Sequence, residues 1–419
     1  MRSVHMLIGV LLVSGAGAPA YKRVGRTGQT TTGGNRGSIV ESKRVLPEDV
    51  SADSGNRLPL IRREALGDRG KKAYDAASSS RFASGWPQGA AEIRLHGTGL
   101  NVRWASAVGR QLTELAILTT AREMDQPYEW SLHEMEALSV GADPAVVDAV
   151  RNRKPTTGLG EKETTIIQIG REIFGTHKLS ATTYASALKL FGQANLVDIV
   201  DLMGQYAGTA TRLTAFNQHM PPQMKQFLPL PFSLPDDIHP DTRSRLPLVS
   251  SQNQNPQASP ILYSRSLEPE GTGPGLIARH GAGLKSLEAS VGRRLMDLAI
   301  LVTAREYDEQ FDWSINELAA QEDGLESAII EIVRERKPLS GLGEKEALIV
   351  EFGRELFGQH FVTAETYARA LDVFGERDLV DFVTLMAQHS SDDTVLIAFD
   401  QHLPAGQRPL LPDLKSATR

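Results

Sequence analysis

Apolar residues recur with helical spacing along most of the chain after residue 100. Leu112, Leu115, Ala116 and Leu118 form one such stripe, on a single face of a helix. The stretch NLVDIVDLMGQYAGTATRLTAFNQH at 195–219 has the pattern of a long amphipathic helix. No run of strand length alternates between apolar and polar residues with turn residues at its ends. The pattern therefore predicts an all-α fold.

Capping residues mark where several of these helices begin and end. Pro127 is placed to open a helix, because proline fits the first helical position. Asp143 is an N-cap residue before Pro144, and Ser180 caps the helix of ATTYASALKLF. Gly192 stands where a glycine ends that helix.

One helical unit is written twice in the sequence. GRQLTELAILTTARE at 109–123 returns as GRRLMDLAILVTARE at 292–306, an offset of 292 − 109 = 183. The same offset joins RNRKPTTGLGEKE at 151–163 to RERKPLSGLGEKE at 334–346, and it persists to AFNQHMP and AFDQHLP. GLGEKE lacks the spacing of a phosphate-binding loop and is interpreted as a turn into a helix that starts near Glu161. An internal duplication with two tandem helical domains is predicted.

The domain boundaries follow from the repeat and from the composition between its copies. The first domain is predicted at 56–225 and the second at 261–419, with a linker and an arm at 226–260. Residues 21–55 are rich in Gly, Ser and Thr, which predicts a disordered linker. MRSVHMLIGVLLVSGAGAPA at 1–20 has the basic start, apolar run and small-residue end of a signal peptide. A secreted or periplasmic protein is expected, or a cytoplasmic one if this segment is not a signal.

Composition excludes several classes of function. The net charge of −6 over 419 residues gives no basic footprint for nucleic acid. The chain has no cysteine, so disulfides, thiolate catalysis and zinc–thiolate sites are excluded. No His, Asp or Glu cluster has metal-ligand spacing in the sequence, and neither a metal site nor a cofactor is predicted.

The candidate chemistry lies on the predicted helix that begins at Pro127. Glu129 and His133 are four residues apart and share one helix face, so a carboxylate can lie beside an imidazole. Such a pair can take up and return a proton near neutral pH. Glu114 on the preceding helix can reach the same place if the two helices pack as a hairpin. The alternative is a surface ion pair, which is common at this spacing.

The stretch LTELAILTTAREMDQPYEWSLHEMEALSVG resembles the core motif of the carboxymuconolactone decarboxylase family, which includes the AhpD-like alkylhydroperoxidases. The resemblance covers both units. It implies two AhpD-like helical domains, assembly as trimers or hexamers, and active sites near subunit contacts. In the peroxidase branch the motif has a glutamate, a Cys-x-x-Cys pair and a histidine. Glu114 and His133 match the first and last, whereas Gln126 and Glu129 stand at the cysteine positions.

The missing thiols argue against peroxide reduction, which needs a thiolate nucleophile. The decarboxylase branch, by resemblance, acts without a cofactor on a lactone that carries a carboxylate. Glu114, Glu129 and His133 are then the catalytic candidates, and Arg122 is the candidate for binding the substrate carboxylate. Arg122 can equally form an ion pair with Glu123 or Asp125.

Two further residues complete the predicted substrate site, Trp130 beside Glu129 and His219 at the end of the last helix of the first unit. The histidines that recur in both copies, His219 among them, have an alternative role in capping helix ends. Two other hypotheses stay open besides the lyase. They are a non-catalytic helical assembly or binding module, and a thiol-free relative of the alkylhydroperoxidases.

The second unit differs from the first at the candidate positions. Asp297 stands where the first unit has Glu114, and Asp312 and Asn316 replace Glu129 and His133. Asparagine cannot exchange a proton near pH 7. The second unit is therefore interpreted as a structural or regulatory partner without a titrating imidazole, or as a site that works on carboxylates alone.

Overall fold

The computed structural model of the chain describes residues 46–78, 89–230, 236–248, 272–404 and 406–412. Every regular element in these ranges is a helix. The one β-type feature among them is an isolated bridge, at 239 and 244. The all-α prediction is confirmed. The predicted signal peptide, residues 21–45 of the first predicted linker and residues 231–235 and 249–260 of the second lie outside the described residues.

The two units are built from helices of similar order. A 3-10 turn at Arg63–Ala65 precedes the helices of the first unit. These are α1 (Asp68–Ser78), α2 (Ala90–Arg94), α3 (Val102–Ala105), α4 (Arg110–Glu123), α5 (Pro127–Ser139), α6 (Pro144–Arg151), α7 (Glu161–Thr176), α8 (Ala181–Phe191) and α9 (Gln193–Ala215). The second unit has α10 (Gly273–His280), α11 (Leu284–Val291), α12 (Arg293–Glu306), α13 (Gln310–Glu322), α14 (Ser327–Arg334), α15 (Glu344–Gly358) and α16 (Ala364–Ala398).

The predicted capping residues hold the helix starts that position the site. Helix α5 begins at Pro127, and the side chain of Gln126 accepts a hydrogen bond from the Tyr128 amide at 2.8 Å. Asp143 and Ser180 accept amide hydrogen bonds at the starts of α6 and α8. These starts, and that of α7 at residue 161, confirm the predictions made from proline and capping residues.

The helix bounds of the two units correspond. Helices α4, α5 and α6 begin and end 183 residues before α12, α13 and α14. Gly192 separates α8 from α9 with a φ of 73°, and Gly375 has the same φ inside α16. Glycine is suited to both positions because the left-handed region is strained for other residues.

Helices α9 and α16 cross at close range between the units. A Cβ atom added to Gly208 would lie 2.6 Å from the carbonyl oxygen of Ala387, and one added to Gly204 would lie 2.7 Å from that of Ser391. No side chain fits in that space. The two glycines therefore let the backbones of the last helices touch.

A segment before each unit, here called its arm, contacts the end of the other unit's last helix. The arm of the first unit contains Arg57, and that of the second unit contains Arg245. The Arg57 amide donates to the Phe399 carbonyl at 2.9 Å, and its guanidinium donates to Ala398 at 3.0 Å. In the reverse direction the Arg245 amide donates to the Phe216 carbonyl at 2.9 Å. Both arginines thus satisfy carbonyls that a helix leaves without partners at its C-terminus.

These arms correct parts of the two linker predictions. Residues 46–55 are not a disordered linker, because Ser54 is buried and donates to the Leu58 carbonyl. Residues 236–248 are likewise packed, with Arg245 and Leu246 buried. The composition around both arms is polar, and the sequence gives no sign that their arginine and leucine side chains are held by the opposite unit.

Candidate functional site

Helices α4 and α5 form a hairpin that brings an acid and an imidazole together in the first unit. Glu114 of α4 is fully buried, and its Oε2 lies 2.7 Å from Nδ1 of His133 on α5. Asp125 closes the turn between the helices with a φ of 48°. The hairpin on which the sequence prediction of a Glu114–His133 contact depended is present.

Two arginines hold the carboxylate of Glu114 from the other side. Arg110 lies 2.8 Å from Oε1 of Glu114, and Nε of Arg103 lies 3.4 Å from the same atom. Both guanidiniums also pair with Glu136. The ring of Trp104 stacks on both guanidiniums, with centroid distances of 4.8 Å and 4.1 Å. Two carboxylates and two guanidiniums make this network neutral around the imidazole.

Burial and charge set the protonation of the pair in opposite ways. Burial lowers the pKa of His133 below its ordinary value, although the hydrogen bond with Glu114 acts in the other direction. Burial would raise the pKa of Glu114, but the hydrogen bond from His133 and the charges of Arg103 and Arg110 hold it below its ordinary value. At neutral pH the pair is therefore an ionised carboxylate and a neutral imidazole, with its proton on Nδ1.

A small pocket opens at His133, and both units line it. Its empty volume, mouth included, is about 260 Å³. The lining residues are Arg103, Tyr128, Glu129, Leu132, His133, Tyr206, Thr209, Leu213 and Pro274. The ring of Tyr206 meets the imidazole edge-on, with centroids 5.0 Å apart. Pro274 belongs to α10 of the second unit, which is tied to the pocket where Thr272 contacts the Tyr128 hydroxyl at 2.9 Å.

The same cluster holds the donors for a possible metal ion. Glu114, His133 and Glu136 bring three donor atoms within 4.8 Å of one another. Both carboxylates, however, already pair with Arg103 and Arg110. A divalent cation would have to displace both guanidiniums from a buried network, and the charge balance does not favour this.

Two of the predicted site residues, Glu129 and His133, line the pocket, and a third, Glu114, is buried behind His133. Glu114 and His133 form the buried pair, and Glu129 lines the pocket beside them. The carboxylate that accepts from Nδ1 of His133 is that of Glu114, although Glu129 shares a helix with the histidine. A carboxylate from the neighbouring helix thus takes the place expected for the one at i−4.

Arg122 and Trp130 lie away from the pocket, which corrects their predicted role in substrate binding. The Arg122 guanidinium pairs with Asp125 and donates through Nε to the Arg151 carbonyl at 2.7 Å. It therefore joins the α4–α5 turn to the end of α6. Trp130 is fully buried, and its indole donates to Glu134 at 2.6 Å. Both residues hold the hairpin in shape.

His219 is not among the residues that line this pocket, so its predicted role in substrate binding is corrected as well. Its amide donates to the Arg243 carbonyl at 2.7 Å, which places it against the arm of the second unit. Burial, with the charges of Arg243 and Arg245, lowers the pKa of His219 to about 4. A neutral, structural histidine fits this position.

The second unit contains an imidazole that the sequence comparison did not find. Nδ1 of His389 on α16 lies 2.8 Å from Oδ2 of Asp312. Asn316 donates to the other oxygen of Asp312, also at 2.8 Å. The interpretation of this unit as lacking an imidazole beside its carboxylates is wrong, because α16 supplies the histidine that α13 lacks. Residue 389 corresponds to Tyr206 at the offset of 183.

Two further buried acids face Asp312. Burial raises the pKa of Glu309 to about 8, and the charge of Asp312 adds to this. Burial, followed by the charges of Asp312 and Glu309, raises the pKa of Asp393 well above its ordinary value. The second unit thus buries several acidic groups around one histidine.

The residues that sequence reasoning missed come from outside the motif. Arg110 is four residues before Glu114, so its helical spacing was a usable signal. Arg103, Tyr206 and His389 lie on other helices, and their convergence depends on how those helices pack.

Comparison with known protein families, with curated proteins and with solved structures finds no match. None of the described helices is long and apolar enough to cross a membrane.

Proposed function

We propose that the first unit is a cofactor-free lyase that decarboxylates a small carboxylated lactone or ring compound, as the resemblance to carboxymuconolactone decarboxylases implies. The observation that carries the proposal is the buried Glu114–His133 hydrogen bond of 2.7 Å at a pocket that Arg103 lines. An oriented imidazole and a guanidinium at one small pocket suit a substrate with a carboxylate and an acid–base step.

The pair can return a proton to carbon. Glu114 accepts from Nδ1 of His133, so Nε2 is the atom that exchanges protons with a substrate. In decarboxylation the bond to the carboxylate breaks, and its electrons enter the conjugated ring as a dienolate while carbon dioxide leaves. Protonated His133 then gives the proton on Nε2 to carbon and is recharged from water. Glu114 stabilises the imidazolium before that transfer.

Arg103 is the group proposed to bind the substrate carboxylate, in place of Arg122. Its side chain is 11% exposed at the pocket and pairs with Glu114 and Glu136. An incoming carboxylate can form charge-assisted hydrogen bonds with this guanidinium. The ring of Tyr206, which meets the imidazole edge-on, lines the same pocket and narrows it beside His133.

A non-catalytic assembly or binding module is the second candidate. The pairing of Glu114 and Glu136 with two guanidiniums favours it, because such saturated networks also occur where they only fix a fold. The empty volume of the pocket, about 260 Å³ with its mouth included, also lies below the usual range for ligand sites.

The experiment uses five-membered lactones and cyclic β-keto acids that carry a carboxylate. Carbon dioxide release is measured, and proton NMR in D2O records deuterium at the carbon that loses its carboxylate. We expect turnover by the wild type and a loss of about 10²–10⁴-fold in His133→Asn, the usual contribution of a general acid. His177→Asn is the matched control, because His177 is a helix C-cap with a φ of 50° that asparagine also adopts.

Two results would reject the lyase. One is no turnover of any such acid by a folded wild-type protein. The other is turnover that His133→Asn retains in full. Saturable binding of these acids without turnover would leave the binding module as the function.

A further inference from the structure

A second pocket in the first unit has an apolar floor and an acidic rim. It lies between α4, α5, α6 and α7, and its empty volume, mouth included, is about 340 Å³. Its rim is formed by Gln111, Asp143 and Glu163, and its floor by leucine, valine and alanine side chains. No arginine, lysine or histidine is among these described lining residues, and none of them lines the pocket at His133. The rim therefore has two carboxylates and no cation of its own.

The second unit has an arginine at the equivalent rim. At the offset of 183, the three rim residues of the first unit correspond to Arg294, Glu326 and Glu346. Nε of Arg294 donates to Glu326 at 3.0 Å, and Nη1 donates to Glu346 at 2.6 Å. One guanidinium thus lies between the two carboxylates. The second unit shows directly which kind of group these two acidic positions bind.

The first unit keeps an acceptor for such a cation but lacks the arginine. The side-chain amide of Gln111 donates to two carbonyls at the end of α5, at 3.1 Å and 3.0 Å. A Cβ atom added to Gly160 would clash with Oε2 of Glu163, and one added to Gly343 would clash in the same way with Glu346. Both glutamates therefore fold back over the start of their helix. The carboxylate that binds a guanidinium in the second unit has the same placement in the first, where none of the described residues supplies one.

The floor beside the rim also differs between the units. At three lining positions the second unit has a larger apolar residue: Leu325 for Ala142, Ile329 for Val146 and Ile330 for Val147. Leucine has three more carbon atoms than alanine, and isoleucine has one more than valine. All three larger side chains are buried. The first unit therefore has open apolar space next to its carboxylates, where the second unit has side-chain atoms.

We propose that this pocket of the first unit binds a small organic cation, an alkylguanidinium or alkylammonium ion. Its charged head lies between Asp143 and Glu163, as the guanidinium of Arg294 lies between the equivalent acids, and donates charge-assisted hydrogen bonds to them. Asp143 caps α6 through Oδ1, so its Oδ2 can accept from the ligand. The alkyl chain packs on the apolar floor and is removed from water.

The position of the floor restricts the ligand further. The chain points inward from the rim, so the end of the chain must be free. An arginine side chain of a peptide is tethered through that same chain and does not fit in this direction. The ligand is a free cation, whereas the pocket at His133 is proposed to bind a carboxylate. The two pockets therefore bind different compounds.

The test measures binding of n-butylguanidinium to the full-length protein by isothermal titration calorimetry. We expect one ion per chain and about fourfold weaker binding of n-propylguanidinium, because one buried methylene fewer contributes about that factor. Neutral n-butylurea should bind more weakly than n-butylguanidinium. Glu163→Gln should weaken binding of the cation about two- to fivefold, the usual contribution of a partly exposed ion pair. Glu346→Gln is the same change in the second unit and, as the matched control, should leave the affinity unchanged.

Two further variants copy the second unit. Gln111→Arg supplies a guanidinium from the chain itself and should abolish saturable binding. Ala142→Leu fills the floor as Leu325 does and should abolish it too. Circular dichroism checks the fold of each variant. If these two do not fold, the comparison of Glu163→Gln with Glu346→Gln decides the question, because glutamine keeps the size of the side chain.

Four results would overturn the proposal. They are no saturable binding of n-butylguanidinium by the wild type, undiminished binding by a folded Gln111→Arg variant, equal affinities of Glu163→Gln and Glu346→Gln, and tighter binding of a blocked arginine than of n-butylguanidinium. The last result would indicate a peptide side chain as the ligand.

Discussion

Gly208 tests whether the two units are held together by direct contact of their last helices. An alanine Cβ there would lie 2.6 Å from the Ala387 carbonyl oxygen, where ordinary contact begins at 3.4 Å. The obstacle is the backbone of α16, which cannot rotate away as a side chain can. Gly208→Ala therefore forces the helices apart by about 0.8 Å or bends one of them.

The change in the free energy of unfolding caused by Gly208→Ala is obtained by comparison with a substitution at a second glycine. Gly175 also lies within a helix, α7, and a Cβ atom added to it would meet nothing within 4 Å. Both substitutions gain the helix propensity of alanine over glycine, about 1 kcal/mol. Only Gly208→Ala has the cost of overpacking, about 1–3 kcal/mol. The free energies of unfolding of the two variants should therefore differ by about 1–3 kcal/mol, with Gly175→Ala the more stable.

The assay is urea denaturation followed by circular dichroism, with both variants and the wild type measured side by side. The slopes of the transitions are compared as well, because a change in slope would indicate that the units unfold separately. Equal stability of the two variants would refute the close crossing of α9 and α16.

Three further predictions concern the first unit and its arm. Decarboxylation needs protonated His133, and burial lowers the pKa of this residue although the hydrogen bond with Glu114 opposes the effect. We therefore expect kcat/KM to rise as the pH falls below 6.5. A fall in kcat/KM would indicate proton abstraction by the neutral imidazole. In initial-rate measurements, Arg103→Leu should raise KM about 10–100-fold with a smaller change in kcat. Arg122→Leu should leave KM unchanged. The pKa of His219 is about 4 in the folded protein and 6.5 in the unfolded chain. The contribution of neutral His219 to the free energy of unfolding is therefore complete above pH 6.5 and is lost as the pH falls toward 4. After allowance for solvent screening, the free energy of unfolding of the wild type should fall by about 2 kcal/mol between these pH values. Denaturation of His219→Gln over the same pH range should not show this fall.

Local chemistry explains why the helices were predictable. Asp143 and Ser180 accept hydrogen bonds from amides within three residues of themselves, and Pro127 itself occupies the first helical position, so their effect is contained in a short stretch of sequence. The arms were not predictable in this way. Arg57 contacts carbonyls more than 340 residues along the chain, and nothing near it in sequence indicates that contact.

The candidate site shows the same division. Glu129 and His133 are neighbours on one helix face, and the sequence shows that directly. The acceptor of the imidazole is Glu114, which lies 19 residues away and reaches it only because α4 and α5 pack as a hairpin. Arg103, which lies on α3, is brought to the site by the packing of a third helix. Helical spacing can place two side chains on one face, but which neighbouring helix provides the third group is decided by packing.

The histidine of the second unit shows why comparing the repeats position by position was misleading. At one position the first unit has His133 and the second has Asn316, and at another the first has Tyr206 and the second has His389. Taken alone, the first difference indicates that the second unit has lost its histidine, and the second difference indicates an unrelated substitution. In the first unit the two side chains meet with ring centroids 5.0 Å apart, and in the second both contact Asp312. The two positions share one space in each unit, so an imidazole can be supplied from either helix. What differs between the units is the set of groups around it, two arginines paired with two glutamates in the first unit and, in the second, buried acids whose pKa values burial raises.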